Sequence, residues 1–377
     1  MMKSKIGLYI HIPFCIKKCS YCDFVSFPAE PAKRLAYLQL LTKEMALWRE
    51  RFPDCEAETV FIGGGTPSIL EADELSLLFQ AIHETFSPGR DAEFTIECNP
   101  GTVTEEKLRQ MFDAGVNRIS FGLQSSVDSE LKALGRIHTY ADFLKSYELA
   151  RKIGFHNINI DLMAAIPGQT LISYESTLHR VTGLAPEHIS SYSLIIEEGT
   201  PFYSLYGECP PVDEETDRKM YECTGETLSA AGYRRYEISN YARVGKECRH
   251  NIKYWQREEY IGVGLSAASL VGHRRMENEA ESGKYRAQIL QGEFPVRETQ
   301  ILTREEEMAE FMFLGLRCMD GISTARFRHL FQEDFEACYG EKVHSLISQG
   351  LLTKEGERIF LTRRGIDVSN RVFAEFI

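Results

Sequence analysis

The chain has 377 residues, 43% of them hydrophobic and 26% charged, which supplies enough apolar material for a sizeable core and excludes wholesale disorder. A net charge of −12 works against phosphate backbones and anionic lipid surfaces, so no nucleic-acid partner is expected and membrane contact is at most peripheral. Ten cysteines, three clustered and seven scattered, rule out the dense framework of a small secreted protein, and no apolar stretch approaches the ~18 residues of a bilayer span, so a reducing cytoplasm is the expected location.

The first apolar run, Leu8 to Phe14, contains His11 and Pro13 and lacks a small-residue cleavage site, so it reads as a core strand and not as a signal segment. Strands are expected near 6–12, 59–62, 93–98, 117–122, 157–163 and 188–196. Helical patterns separate them, over 33–50, 71–86, 104–114 and 139–153. Such alternation predicts βα units with right-handed crossovers and a parallel sheet, and six in succession suggest a curved partial barrel. After Ala231 the runs Tyr233–Ile238, His250–Trp255 and Gly262–Ser266 read as strands completing the large domain. A helical run starts near Thr303, and 345–362 resembles the helix and β-hairpin of a winged-helix module. Residues 300–377 hold ten Lys plus Arg against thirteen Asp plus Glu, the wrong balance for gripping DNA. The expected division is a barrel over 1–230, a strand extension carrying His-Asn-x-x-Tyr-Trp over 231–299, and a smaller α+β domain over 300–377.

The chemistry points to Cys15-x3-Cys19-x2-Cys22, directly after the first strand. Structural zinc and ordinary four-iron clusters take four protein ligands, so three thiols either borrow a fourth ligand or leave one metal position open. Zinc, or three unrelated buried thiols, is the bland reading; no second Cys-x2-Cys and no His-x3-His supports it. Gly63-Gly64-Gly65-Thr66-Pro67 follows the second strand, where glycine lets backbone approach a ligand and Thr66 can cap the next helix. Glu97 ends the third strand, Gln124 the fourth, and Asp161 lies in the fifth, so these loops converge on the carboxyl ends of a parallel sheet.

Taken together, Cys-x3-Cys-x-Tyr-Cys, Gly-Gly-Gly-Thr-Pro and Ile158-Asn159-Ile160-Asp161 resemble the radical S-adenosylmethionine (radical SAM) superfamily. Within it the chain is similar to the anaerobic coproporphyrinogen oxidase family from Tyr9 to about Ser269, and His250-Asn251-Ile252-Lys253-Tyr254-Trp255 resembles the signature of its HemW-type haem chaperone branch. The resemblance implies an α/β fold, a (β/α)6 partial barrel of the radical SAM type, followed by the smaller winged-helix-like C-terminal domain. It implies that Cys15, Cys19 and Cys22 hold a [4Fe-4S] cluster whose open iron is chelated by S-adenosyl-L-methionine, fed by an electron donor. It also implies Tyr9 and Tyr21 near the cluster, Gly64, Gly65 and Thr66 at the methionine amine, then Glu97, Gln124, Arg136, Asp161 and Ile195 around the cofactor. Asp161 suits a ribose hydroxyl or amine, Arg136 a carboxylate, and Ile195 an apolar wall for adenine; singly, each also suits a local structural role.

His250 decides the functional expectation. An imidazole beside two aromatics is more often a hydrogen-bonded core residue, and Cys248 is a rival thiolate, but the HemW-type resemblance implies that His250 binds haem. True coproporphyrinogen oxidases carry a further cysteine two positions after the third cluster ligand and a long segment before the cluster. Here that position is Phe24, and fourteen residues precede Cys15. The expectation is therefore a haem chaperone that binds the cluster, S-adenosyl-L-methionine and one haem and passes haem to an acceptor protein. Oxygen-independent decarboxylation of coproporphyrinogen III is the alternative, and an iron-sulfur redox regulator ranks last.

Overall fold

A computed structural model describes residues 4–207 and 209–377; Met1 to Lys3 and Glu208 lie outside the described residues. Six strands run parallel in chain order: β1 (Ser4–Ile12), β2 (Cys55–Gly64), β3 (Glu93–Cys98), β4 (Arg118–Gln124), β5 (Ile158–Ala164) and β6 (His188–Ser193). Each is followed by a helix, at Pro31–Arg51, Ala72–Phe86, Glu105–Asp113, Tyr140–Ile153, Leu171–Gly183 and Glu214–Ala230. Every element expected in this region is present, with bounds differing by a few residues. One difference matters: β6 ends at Ser193, so Ile195 has already left the sheet.

Side-chain alternation sorts the chemistry between the two faces of the sheet. Ile119 and Phe121 on β4, Ile160 and Leu162 on β5 and Ile189 on β6 are buried in the apolar core. The alternate positions carry Arg118, Ser120, Asn159, Asp161 and Ser190, which line the lumen. The register places Gly122 beside Asp161 and Asp161 beside Ser190, so this polar lining is continuous across strands.

The sheet extends on both sides of the parallel strands. β7 (Arg234–Glu237) and β8 (Asn240–Ala242) add to β6 in antiparallel fashion. β9 (Tyr260–Val263) pairs parallel with β1, and β10 (Ala268–Val271), β11 (Arg274–Asn278) and β12 (Val296–Ile301) continue outward from it, so β12 and β7 are the edges of an open sheet. The turn after β9 is tied down by buried Glu44, which accepts from Gly264 N at 2.9 Å, Asn278 Nδ2 at 2.7 Å and Tyr285 OH at 2.5 Å.

The His-Asn-x-x-Tyr-Trp segment is a helix, Arg249–Trp255, where a strand was expected. The reason lies outside the segment. The Glu93 carboxylate at the start of β3 accepts from Arg249 N and His250 N, both at 2.9 Å, satisfying first-turn donors that no local side chain caps.

From Arg304 a second apolar cluster forms around Phe311, Phe327, Phe331, Phe335, Leu346 and Val372. Its helices Arg304–Gly315, Thr324–Phe331 and Phe335–Ser348 pack with a small sheet of β13 (Ile322–Ser323), β14 (Leu352–Glu355) and β15 (Arg358–Leu361). This unit is joined to the barrel by Arg257, which pairs with Glu307 and Glu310, by Arg317 lying 4.4 Å over the Trp255 ring, and by Met319 N donating to Tyr236 O. Among the described residues, no helix is long and apolar enough to cross a membrane.

Candidate functional site

The register of β1 and β2 places the two ligand-bearing loops side by side. Ile12 pairs with Gly64, and beyond that pair Gly65 N donates to Ile12 O and Thr66 N to Phe14 O. The base of the cysteine loop is closed by Phe27 N donating to Pro13 O and Cys15 N to Phe27 O. Glycine is required at both turn positions. Gly64 has φ +107°, and a side chain on Gly65 would meet Phe14 O at 2.7 Å and Ile12 O at 2.9 Å, backbone atoms that cannot rotate away. Gly65→Ala is therefore expected to push the two loops apart and weaken S-adenosyl-L-methionine binding about tenfold to a hundredfold, the equivalent of overpacking by ~1–3 kcal/mol, as read by calorimetric titration.

Both loops open on a cavity of about 420 Å³ at the carboxyl ends of the strands. Its wall brings together Cys15, Cys19, Cys22, Tyr21, Gly64, Gly65, Thr66, Glu97, Gln124, Arg136 and Asp161. Thr66 does not cap the following turn; its hydroxyl lies 3.4 Å from Cys15 Sγ and accepts from Asn99 Nδ2 at 2.8 Å. Arg136 sends one nitrogen to Asn99 Oδ1 at 2.8 Å and Gly122 O at 2.7 Å, and the other to Cys19 Sγ at 3.6 Å. The guanidinium thus braces the cysteine loop.

Two carboxyls face the same lumen. Glu97 accepts from Gly64 N at 3.1 Å, and burial, reinforced by the charge of Asp161, pushes it up to about 8. Burial also raises Asp161, against donation from Asn159 Nδ2 at 2.8 Å and Ser120 Oγ at 3.0 Å. Paired acids held away from water favour a cationic guest. Gln124 sits at φ +71° with its Oε1 buried and unpartnered, an acceptor left for such a guest.

The donor set fits a cluster of the four-iron type. Three thiols from one loop face one cavity, and each would serve a different iron. No group of three or more His, Cys, Asp or Glu side chains among the described residues is placed to hold a single metal ion.

The other expected residues lie elsewhere. Tyr9 is behind the wall, its hydroxyl 3.0 Å from His11 Nδ1 and its ring stacked on Phe61. Ile195 is 69% exposed and does not border the cavity, because the chain leaves the sheet at Ser193. His250 is 1% exposed, its Nδ1 lies 2.8 Å from Thr59 Oγ1, its Nε2 lies 2.7 Å from Tyr254 OH, and it stacks on Phe61. Burial and the nearby charges of Lys253 and Arg118 hold the imidazole down at about 3. The residue expected to bind haem is thus a neutral core histidine with both ring nitrogens occupied, and Asn251 of the same motif faces the cavity instead.

Several lining residues escaped the sequence reading, among them Asn99, Arg118, Asn159 and Tyr192. Arg118 is 2% exposed with its Nε unpartnered. The available signal was a charged residue alternating with Ile119 and Phe121 inside an apolar strand, which marks the lumen face.

Comparison with known proteins gives a consistent pattern. The radical SAM superfamily model matches residues 9–181, and the HemN C-terminal domain model matches 302–368. The protein named "Heme chaperone HemW" in Bacillus subtilis (strain 168) is 38% identical over 98% of this chain and 98% of its own length. Its counterpart in Lactococcus lactis subsp. lactis (strain IL1403) is 36% identical over 100% and 98%. The solved structure of coproporphyrinogen III oxidase (HemN) from Escherichia coli, described as a radical SAM enzyme, superposes with a TM-score of 0.88 over 100% of this chain and 91% of that one. At 23% sequence identity, that likeness establishes the fold.

Proposed function

The chain belongs to the HemW family of haem chaperones within the radical SAM superfamily, and on that premise we propose that it binds haem and passes it to an acceptor protein. The observation that carries this reading is the end-to-end match to proteins that bear the chaperone name. In this reading the thiols of Cys15, Cys19 and Cys22 hold a [4Fe-4S] cluster beside S-adenosyl-L-methionine, which together supply one-electron chemistry when bound.

The chain's own residues do the positioning. Gly64 and Gly65 admit the methionine end of the cofactor, Glu97 and Asp161 supply negative charge toward its cationic groups, and Arg136 steadies the loop that carries Cys19. An electron donor and a haem-acceptor protein complete the scheme, in a reducing cytoplasm that suits ten cysteines of which none forms a disulfide. Ligation of haem by His250 would require opening the hydrogen bond at one ring nitrogen, to Tyr254 or to Thr59, and uncovering a ring that is 1% exposed.

The reading is tested by titrating haem into the anaerobically reconstituted chain and then mixing the complex with an apo-haemoprotein. One haem per chain, released to the acceptor, is the expected result. Absence of saturable binding together with turnover of coproporphyrinogen III would replace the chaperone by the oxidase.

A further inference from the structure

Asp161 stands at the end of a buried line of hydrogen bonds that runs down the barrel lumen, away from the cysteine loop. Its two oxygens accept from Asn159 Nδ2 at 2.8 Å and from Ser120 Oγ at 3.0 Å. On the other side of the same amide, Asn159 Oδ1 lies 2.6 Å from His188 Nδ1 and 3.1 Å from Ser190 Oγ. His188 Nε2 lies 2.8 Å from Tyr236 OH, which also accepts from Cys248 N at 3.3 Å. The pairing of β5 with β6 aligns the line, since Asn159 is opposite His188 and Asp161 opposite Ser190. At its far end Tyr236 borders a second cavity, of about 710 Å³, with Trp255 of the motif helix and Phe311 of the C-terminal unit on its walls.

The direction of each bond is fixed from the Asp161 end. An ionised carboxylate only accepts, so Asn159 presents its amide nitrogen to Asp161 and its carbonyl oxygen to His188. That oxygen cannot donate, so the proton of a neutral ring sits on Nδ1, and Nε2 is left to accept from Tyr236 OH. Cys248 N can only donate and closes the far end. His188 is fully buried, and burial with the charge of Arg118 holds its imidazole well below the ordinary histidine range, in the neutral form the line requires. The donors of Cys248, Tyr236, His188 and Asn159 thus all point toward Asp161, an arrangement in which each bond polarises the next.

We propose that His188 is a positioning residue for the cofactor cavity: its Nδ1–H pins the Asn159 amide, and the pinned amide keeps the Asp161 carboxylate aimed at the cationic groups of S-adenosyl-L-methionine. The inference rests on the reading of that cavity as the cofactor site. With one bond accepted by each oxygen from within the lumen wall, Asp161 keeps its remaining acceptor capacity for the cavity it lines. Without the Nδ1–H, Ser190 Oγ alone would hold the Asn159 oxygen, and the amide could turn away from Asp161. The other ionisable groups that act on Asp161 are Glu97 on β3, Arg118 on β4, Tyr192 on β6 and Tyr21 of the cysteine loop. None of these four is hydrogen-bonded to His188, so a change at His188 reaches Asp161 through Asn159.

The test titrates S-adenosyl-L-methionine calorimetrically into the full, cluster-loaded chain over a range of pH, for the wild type, His188→Leu and His188→Asn. Asparagine can replace the Nδ1 donor with its amide nitrogen, whereas leucine fills the space without a donor. His188→Leu is expected to bind about tenfold more weakly. The pH at which its binding develops should also move upward, because donation from Asn159 opposes protonation of Asp161. His188→Asn should recover most of the affinity. A measurement on the wild type needs no variant to fold: nitrogen magnetic resonance of the chain with isotope-labelled histidine should show His188 as the neutral Nδ1–H tautomer near neutral pH. An Nε2–H ring overturns the proposal, as does an unchanged affinity and pH profile in His188→Leu, or equal weakening in both variants. Absence of binding by the wild type overturns the cofactor reading beneath it.

Discussion

Cys19→Ser is expected to reduce the iron and sulfide content of the reconstituted chain to background and to abolish its iron-sulfur absorbance. Cys19 shares its loop and its cavity with Cys15 and Cys22, and no fourth cysteine lies within that loop. A serine hydroxyl does not ionise near neutral pH as a thiol can, so two thiolates would be left to hold a cube. Cys55→Ser, at the buried start of β2 outside the cavity, is the matching control and should load normally. A full four-iron complement in Cys19→Ser would overturn the assignment of this loop.

Glu97→Gln should change how stability depends on pH. In the folded chain without ligand, burial and then Asp161 push the Glu97 carboxyl up to about 8 from its ordinary 4.5. The folded state therefore keeps the proton while the unfolded chain loses it. The stability contributed by this group is full below about 4.5 and falls by about 1.4 kcal/mol per pH unit as pH rises toward about 8. Glutamine has no proton to lose and can still accept from Gly64 N, so the variant should lack this decline. Denaturant unfolding of the cluster-free chain at pH 5 and pH 8 reads the difference. Binding a cationic guest should release the same proton, so affinity for S-adenosyl-L-methionine should rise with pH in the wild type and much less in Glu97→Gln. Parallel curves for the two chains would sink the argument.

The parallel barrel was legible because its strands and helices differ in hydrophobic period and its loops carry unusual residues. The convergence of the cysteine loop, the glycine turn, Glu97, Gln124 and Asp161 on one cavity follows from one rule, that loops at the carboxyl ends of parallel strands share a face. Arg136, expected at a ligand carboxylate, borders the same cavity, and its guanidinium braces Asn99, Gly122 and Cys19. Ile195, expected as a wall for adenine, lies past the end of β6 and off the cavity lining, because the end of a strand depends on where the neighbouring strand stops pairing and β6 stops at Ser193.

The sequence by itself determined the α/β class, the order of the βα units and the family, and it displayed the three-cysteine loop, all of which rest on local periodicity and on residue spacing along the chain. Only the tertiary structure decided what His-Asn-x-x-Tyr-Trp does. Its helix is capped by Glu93 from a strand about 155 residues earlier in the chain, its histidine is buried with its ring nitrogens hydrogen-bonded to Thr59 and Tyr254, and its tryptophan reaches a cleft closed by a different apolar unit. The physical reason is that hydrogen-bond satisfaction and burial are set by partners distant in sequence, so a motif displays which groups it carries but not which of them remain free.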